Sequence, residues 1–414
     1  MTGNSLKLAL RVLARRKVFT AISLTGIVLT LLVLMVVTAV IENLFAATPP
    51  ESRRDRILLV TRVRQLGPDS TMQTNPGLGF LRQTVRNLPG AELVSISTEP
   101  ANVVIYDRQR RLEATLKRTD ADFWRIFDFH FIEGAPYGDA DVAASRPVMV
   151  ISERLRDKLF GAGVRALGRT VVINETSYRV AGVVTPVSIA HARGPWAEMW
   201  TPAPAPTSDE LRALHGTLVA VVLARSEKDI RPMQREFASR VRRVPVEDPK
   251  VYKEVKSSLD TPFEDIVRNI GPGETAQRSP AAAGVVLFVV AVLFMTLPAL
   301  NLVTLNLSRI LERAPEIGVR KAFGAPRGAL IGQFVMENIV LTLIGGVLSF
   351  VLTFIALRVL EGTALIPDGH FEVNLRVFLF GMLTAVFFGV FSGFYPAWRM
   401  ARLDPVNALR GGSL

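Results

Sequence analysis

Apolar residues in this sequence are gathered into four long runs, and the polar residues between them are divided unequally. Residues 18–41 form the first run and carry no charge. About 20 apolar residues span a bilayer as a helix, so a membrane span is predicted there. A signal peptide has a core of only about 7–15 apolar residues and a small-residue cleavage site. This run is longer and Phe45-Ala46-Ala47 is a poor site, so an uncleaved anchor is expected. Residues 281–307 form the second run, which Pro298 should kink or loosen. Residues 329–357 form the third, with Glu337 inside it and Gly345-Gly346 suited to close helix contact. A charge inside a span is a functional candidate, although Glu337 sits shallow enough to face the interface. Residues 377–398 form the fourth, closed by Tyr395 and Trp398 at an interface position.

The polar segments differ in kind. Residues 1–17 read as a cytoplasmic amphipathic helix, with Leu6, Ala9, Leu10 and Leu13 on one face and Lys7, Arg11 and Arg15 on another. Such a helix lies in the membrane interface or simply flanks the first span. Residues 48–279 have dispersed charge, short apolar runs and frequent Gly and Pro, the texture of a folded, water-exposed region large enough for its own core. Strands are predicted at 56–63, 92–97, 102–106, 147–151 and 217–223. A hairpin is predicted from 170–173 to 178–184 around Asn174-Glu175. Helices are predicted at 79–87, from Asp120 and Asp122 into Phe123-Trp124, from Ser152 to Gly161, and at 229–241 with Ile230, Met233, Phe237 and Val241 on one face. Strand–helix–strand order at both ends of a β-richer middle suggests a split domain carrying an insertion. The fold class is therefore α-helical with four transmembrane helices plus a large α+β domain outside the membrane.

Charge orients this arrangement. Lys and Arg exceed Asp and Glu by a net +12, which could serve nucleic acid. The basic residues instead flank the apolar runs: the amino-terminal segment, the loop 308–328 and the tail 399–414. The connection 358–376 balances acids against bases. The positive-inside rule then places both termini and the 308–328 loop in the cytoplasm, and the large region and 358–376 on the far side. Membrane lipid, and no nucleic acid, is the partner this pattern implies.

Little catalytic chemistry is offered. The chain has no cysteine, which excludes disulfides, thiolate metal sites and a cysteine nucleophile. No phosphate-binding loop with a Lys-Ser/Thr ending, nucleophile elbow or zinc-protease motif is present. His130, His191, His215 and His370 show no ligand spacing. The expectation is a chain that is no enzyme and binds neither metal nor cofactor.

The loop Glu312-Arg-Ala-Pro-Glu-Ile-Gly-Val-Arg-Lys-Ala-Phe-Gly-Ala-Pro-Arg327 resembles the signature of the FtsX-like permease domain, and Tyr395–Arg410 is similar to that domain's close. Thr119-Asp-Ala-Asp-Phe-Trp, Glu133-Gly-Ala-Pro, Pro147–Ser152, Leu159-Phe-Gly, Leu167-Gly-Arg-Thr and Tyr178–Val184 resemble the periplasmic core domain of MacB-type ABC transporters. The resemblance implies an inner-membrane, multi-pass permease that works by mechanotransmission. A porter-like lobe (about 50–115 plus 207–275) and an inserted β-rich lobe (about 116–206) would form the periplasmic domain.

It further implies that the loop between the second and third spans is a coupling helix resting on a cytoplasmic ATPase, where ATP and Mg are bound. Glu312, Pro315, Glu316, Ile317, Gly318, Val319, Arg320, Lys321, Phe323 and Gly324 are the coupling residues on this reading. Glu316 and Arg320 have i,i+4 spacing; Ile317 and Phe323 could fill an apolar pocket on the partner; Pro315 and Gly324 suit stops at either end. The chain begins one short helix ahead of its first span, so the ATPase is expected on a separate polypeptide. A second copy or a sister permease would complete a dimer, with a periplasmic adaptor and an outer-membrane channel as further partners. Export from the periplasm or outer leaflet is the favoured output. A signalling permease that activates a cell-wall hydrolase, or a lipoprotein-releasing permease, is the alternative.

Overall fold

The structure, a computed structural model, describes residues 17–45, 49–107, 110–188, 194–269 and 326–361, most positions between 374 and 387, and single positions that include Val319 and Phe323. The chain divides into two compact units, residues 1–42 with 281–363 and 371–414, and residues 43–280 with 364–370.

Among the described residues the first unit contains two helices long and apolar enough to cross a membrane, within Lys17–Phe45 and Arg327–Glu361. The burial pattern of the second inverts that of a water-soluble helix. Along Arg327–Glu361 the inward face carries Glu337, Asn338, Thr342, Ser349 and Thr353, all buried, while Val347, Val351, Phe354, Ile355 and Val359 are exposed. Polar groups turned inward and aliphatic groups turned outward minimise free energy only where the surrounding solvent is apolar. Lys17–Phe45 buries Ile27, Leu31, Met35 and Ala39 at i,i+4 spacing. Ile27 and Leu31 pack with Val340, Leu341 and Ala385. The Thr353 hydroxyl lies 3.8 Å from Met35 Sδ, and the Thr38 hydroxyl donates to Leu34 O at 2.7 Å. Part of the fourth run is helical, Phe378–Phe387. The amphipathic segment 1–16, nearly all of the second run with Pro298, and the tail lie outside the described residues.

The second unit is built on three sheets. Strands β1 (Ile57–Val60), β13 (Leu218–Ala224) and β4 (Ala91–Thr98) form the middle layer in the order β1-β13-β4. Every residue of β1 is buried, because alternate side chains enter two different cores. Leu58 and Val60 join Ala220 and Val222 against Phe80, Met233 and Phe237 of the helices Leu78–Thr84 and Ile230–Val241. Ile57 and Leu59 join Val221 and Leu223 against Phe123, Phe127 and Trp200. A four-stranded sheet, β12-β3-β2-β14, uses His215–Gly216, Thr71–Pro76, Val63–Leu66 and Glu254–Ser257.

The third sheet has seven strands: β7 (Phe131–Gly134), β10 (Thr176–Val184), β8 (Val148–Ser152), β11 (Met199–Pro202), β6 (Arg110–Thr119), β5 (Ala101–Asp107) and β9 (Thr170–Ile173). An additional β9–β10 pairing closes six of them into a ring. Ile105, Leu116, Met149, Ile151, Val171, Ile173, Val180 and Met199 form its core. This sheet starts at Ala101, ahead of the boundary expected near 116. Leu116–Thr119 of β6 run parallel to Met199–Pro202 of β11, and β5 follows as the hairpin partner of β6. The far boundary falls at Pro202, close to the expected 206.

Local chemistry accounts for the elements. The Ser152 hydroxyl accepts from Leu155 N at 3.2 Å and caps the helix Glu153–Phe160, which ends at Gly161 with φ +99°. Asn174 and Glu175 both have positive φ, 47° and 65°, the requirement of a two-residue hairpin turn that matches strand twist. The helix begun after Asp120 stops at Ile126, because Phe127 is extended (ψ 132°). Phe127 packs instead on Phe123 and Phe129.

Candidate functional site

Three sets of residues bear on function, and each is described within its own unit. The first is the 308–328 loop. Val319 and Phe323 are its described members among the expected coupling residues. Phe323 N donates to Val319 O at 3.1 Å, the spacing of one helical turn. Val319 is 44% exposed and Phe323 88%. An apolar ring this open offers about 1.5–3 kcal/mol of burial to whatever covers it. Glu312, Pro315, Glu316, Ile317, Gly318, Arg320, Lys321 and Gly324 lie outside the described residues.

The second set is the inward stripe of Arg327–Glu361. Glu337 is 2% exposed and accepts from Gln333 Nε2 at 3.1 Å, so its carboxyl group is enclosed by protein and does not face the interface. A Cβ built on Gly345 would stand 2.6 Å from Ile27 Cγ2, and one on Gly346 would stand 1.6 Å from Met382 Cε. Both glycines therefore permit close helix approach. Asn338, Thr342, Ser349 and Thr353 extend this stripe and were not singled out in the sequence. Their signal was there: small polar residues at helical spacing within an otherwise aliphatic run.

The third set lies where the middle sheet meets the seven-stranded sheet, and most of it was invisible in sequence. Asp120 is held by three donors: Ser95 Oγ at 2.7 Å, Ile96 N at 2.7 Å and Phe123 N at 3.0 Å. The expected helix cap thus also ties β4 to the end of β6. Burial pushes its carboxyl up to about 6 against the pull of those hydrogen bonds. Lys117 is fully buried and its Nζ has no hydrogen-bond partner among the described residues. Desolvation lowers its ammonium to about 7, with Glu99 acting in the other direction. Tyr137 shares a hydrogen bond with Thr119 Oγ1 at 2.5 Å, and burial raises its phenol. Among the described residues no group of three His, Cys, Asp or Glu side chains stands ready to hold a metal.

Residues 20–240 match the MacB-like periplasmic core domain and residues 288–405 the FtsX-like permease C-terminal domain. The macrolide export ATP-binding/permease protein MacB of Shewanella is 24% identical over 430 residues, covering 98% of this chain and 60% of that protein. The pyoverdine export ATP-binding/permease protein PvdT of Pseudomonas entomophila is 26% identical over 296 residues, 69% of this chain and 41% of that protein. The chain therefore spans about half the length of such relatives. The uncharacterized ABC transporter permease YknZ of Bacillus subtilis is 24% identical over 353 residues, 83% of each chain. The first domain match alone takes in more than half of the sequence, and the second follows it in order. The chain belongs to the MacB-like, FtsX-like family of ABC transporter permeases, a family of the inner membrane with a periplasmic core domain.

Proposed function

We propose that this chain is the permease of a MacB-like ABC exporter, coupling ATP hydrolysis on a separate cytoplasmic ATPase to movement of its periplasmic lobes. Four spans anchor it, both termini and the 308–328 loop face the cytoplasm, and no reaction is catalysed by the chain itself. The observation that carries this reading is the order of the two domain matches along nearly the whole sequence. Two further observations support it. Relatives aligned over most of the chain are named export proteins. YknZ, matched over most of both chains, is named a permease alone, where the longer relatives are named ATP-binding/permease proteins. The exposed Val319–Phe323 turn supplies an apolar contact for the ATPase, and a second permease would complete the dimer.

The test is charge reversal in the loop. Glu316→Lys combined with Arg320→Glu should leave membrane insertion normal and abolish stimulation of the copurified ATPase. Full coupling in that double variant would remove the loop from this role. Identification of the chains that copurify from native membrane separates the outputs. A periplasmic adaptor supports export, whereas a cell-wall hydrolase in its place supports signalling.

A further inference from the structure

A second feature of the water-exposed unit is independent of the export reading. Arg64 of β2 stands directly opposite Gln73 of β3 on one side and Lys256 of β14 on the other. Directly opposed residues of antiparallel strands share a face, so two cations and an amide form one row across three strands. Like charges in that position repel unless something neutralises them. Among the described residues neither Arg64 nor Gln73 has a side-chain partner. Lys256 meets Glu254 of its own strand at 2.8 Å, a half-exposed pair of small worth.

The row lines a cavity of about 280 Å³ that Arg62 and Arg268 also border. Two carboxylates reach the same cavity, and both have partners inside the protein. Asp260 takes Arg268 Nε at 3.0 Å and the Ser258 hydroxyl at 2.5 Å. Asp265 takes the Thr61 hydroxyl at 2.5 Å. Arg268 is paired with Asp260 and Lys256 with Glu254, so the positive charge left over beside this half-open space is centred on Arg64. The cavity's volume falls just under the ~300–1,000 Å³ of sites for drug-sized molecules. A small, multiply charged group suits it better. Arginine forks and an ammonium are the groups that recognise tetrahedral oxyanions.

We propose that this cavity binds a phosphate group, carried either by a soluble anion or by a lipid headgroup. The anion sits against Arg64 and Lys256, relieves their repulsion and accepts from Gln73. It also bridges the four-stranded sheet to Arg268 on the helix Pro262–Asn269, the element that leads toward the second apolar run.

The full chain in a non-ionic detergent, at fixed ionic strength, is titrated calorimetrically with inorganic phosphate and with dihexanoyl phosphatidic acid; dihexanoyl glycerol serves as the uncharged control. Saturable binding of phosphate or of phosphatidic acid is expected, and whichever binds identifies the source of the group. Arg64→Gln should weaken it roughly tenfold or more, the loss of one charge-assisted hydrogen bond. Arg169→Gln, outside the cavity, should leave it unchanged. Thermal melts guard against misfolding. Without anion Arg64→Gln should melt no lower than the wild type, and the probe that binds should raise the melting temperature of the wild type and of Arg169→Gln by more than that of Arg64→Gln. Absence of saturable binding by both probes, or equal affinity in Arg64→Gln, overturns the proposal.

Discussion

Lys117 shows at the scale of a single residue how burial changes a side chain's meaning. In sequence it sits in the alternating stretch Leu116-Lys117-Arg118 and reads as one more solvated charge. In the fold Leu116 enters the ring core while Lys117 turns into the junction of two sheets. Its folded value near 7 lies below the usual 10.5 of a free lysine. The unfolded chain therefore binds the extra proton between about pH 7 and 10.5. Stability falls as pH drops through that window and levels off below it. Lys117→Met should stabilise the protein by on the order of 1–3 kcal/mol at pH 6. The gain should shrink toward zero near pH 10.5. Tryptophan-monitored melts at pH 6, 7.5 and 9 check both the sign and the trend. Asp120 offers the opposite case, since its role as a helix cap followed from its place ahead of Phe123, and the geometry adds only the tie to β4.

Elements differ in how plainly they announce themselves. The helix Ile230–Val241 was legible because it buries one apolar face at helical spacing, and strand β8 because it is a short apolar run buried on both faces. The strands β2, β3 and β14 were not, since Val-Arg-Gln-Leu, Thr-Met-Gln-Thr-Asn-Pro and Glu-Val-Lys-Ser hold few apolar residues. Their polar face borders the cationic cavity instead of a core. Two element-scale predictions follow from backbone geometry. Glu175→Gly should stabilise the β9–β10 hairpin by about 0.5–1 kcal/mol, because Glu175 holds a left-handed φ of 65° that glycine adopts without cost. A chemical-denaturation midpoint reads this directly. In the helix Arg327–Glu361 the neighbouring glycines should respond differently to alanine. Gly346→Ala meets only the flexible tip of Met382 and should be near neutral. Gly345→Ala meets the branched Cγ2 and Cβ of Ile27 and should cost about 1–3 kcal/mol. Melting temperatures of the two variants in the same detergent compare them.

At the scale of the whole molecule, the periplasmic region was expected as two lobes, one inserted in the other. Residues 101–202 supply the seven-stranded sheet, and it shares a core with the middle sheet. Leu59, Val221 and Leu223 of the middle sheet pack with Phe123, Phe127 and Trp200 of the inserted portion. An interface this apolar does not behave as a linker between independent bodies. Deleting residues 101–202 should therefore yield a protein that fails to fold outside the membrane, seen as rapid proteolysis of everything between the first two apolar runs. Trp200→Ala, a milder cut at the same core, should cost about 3–5 kcal/mol. The membrane arrangement was legible from hydropathy for the described helices, while the inward polar stripe needed the packing to be seen.

The clasp between β1 and the chain's exit carries a mechanical consequence. Leu59 N donates to Asp260 O at 2.7 Å, and Asp260 N returns the bond to Leu59 O at 2.9 Å. Asp265 holds the Thr61 hydroxyl just beyond. Leu59 belongs to β1, and Asp260 lies just ahead of the helix Pro262–Asn269, so a load that reaches either one is passed to the other through this pair of amides. A pull of that kind would show as a tightening or slipping of one small buckle at the edge of the middle sheet.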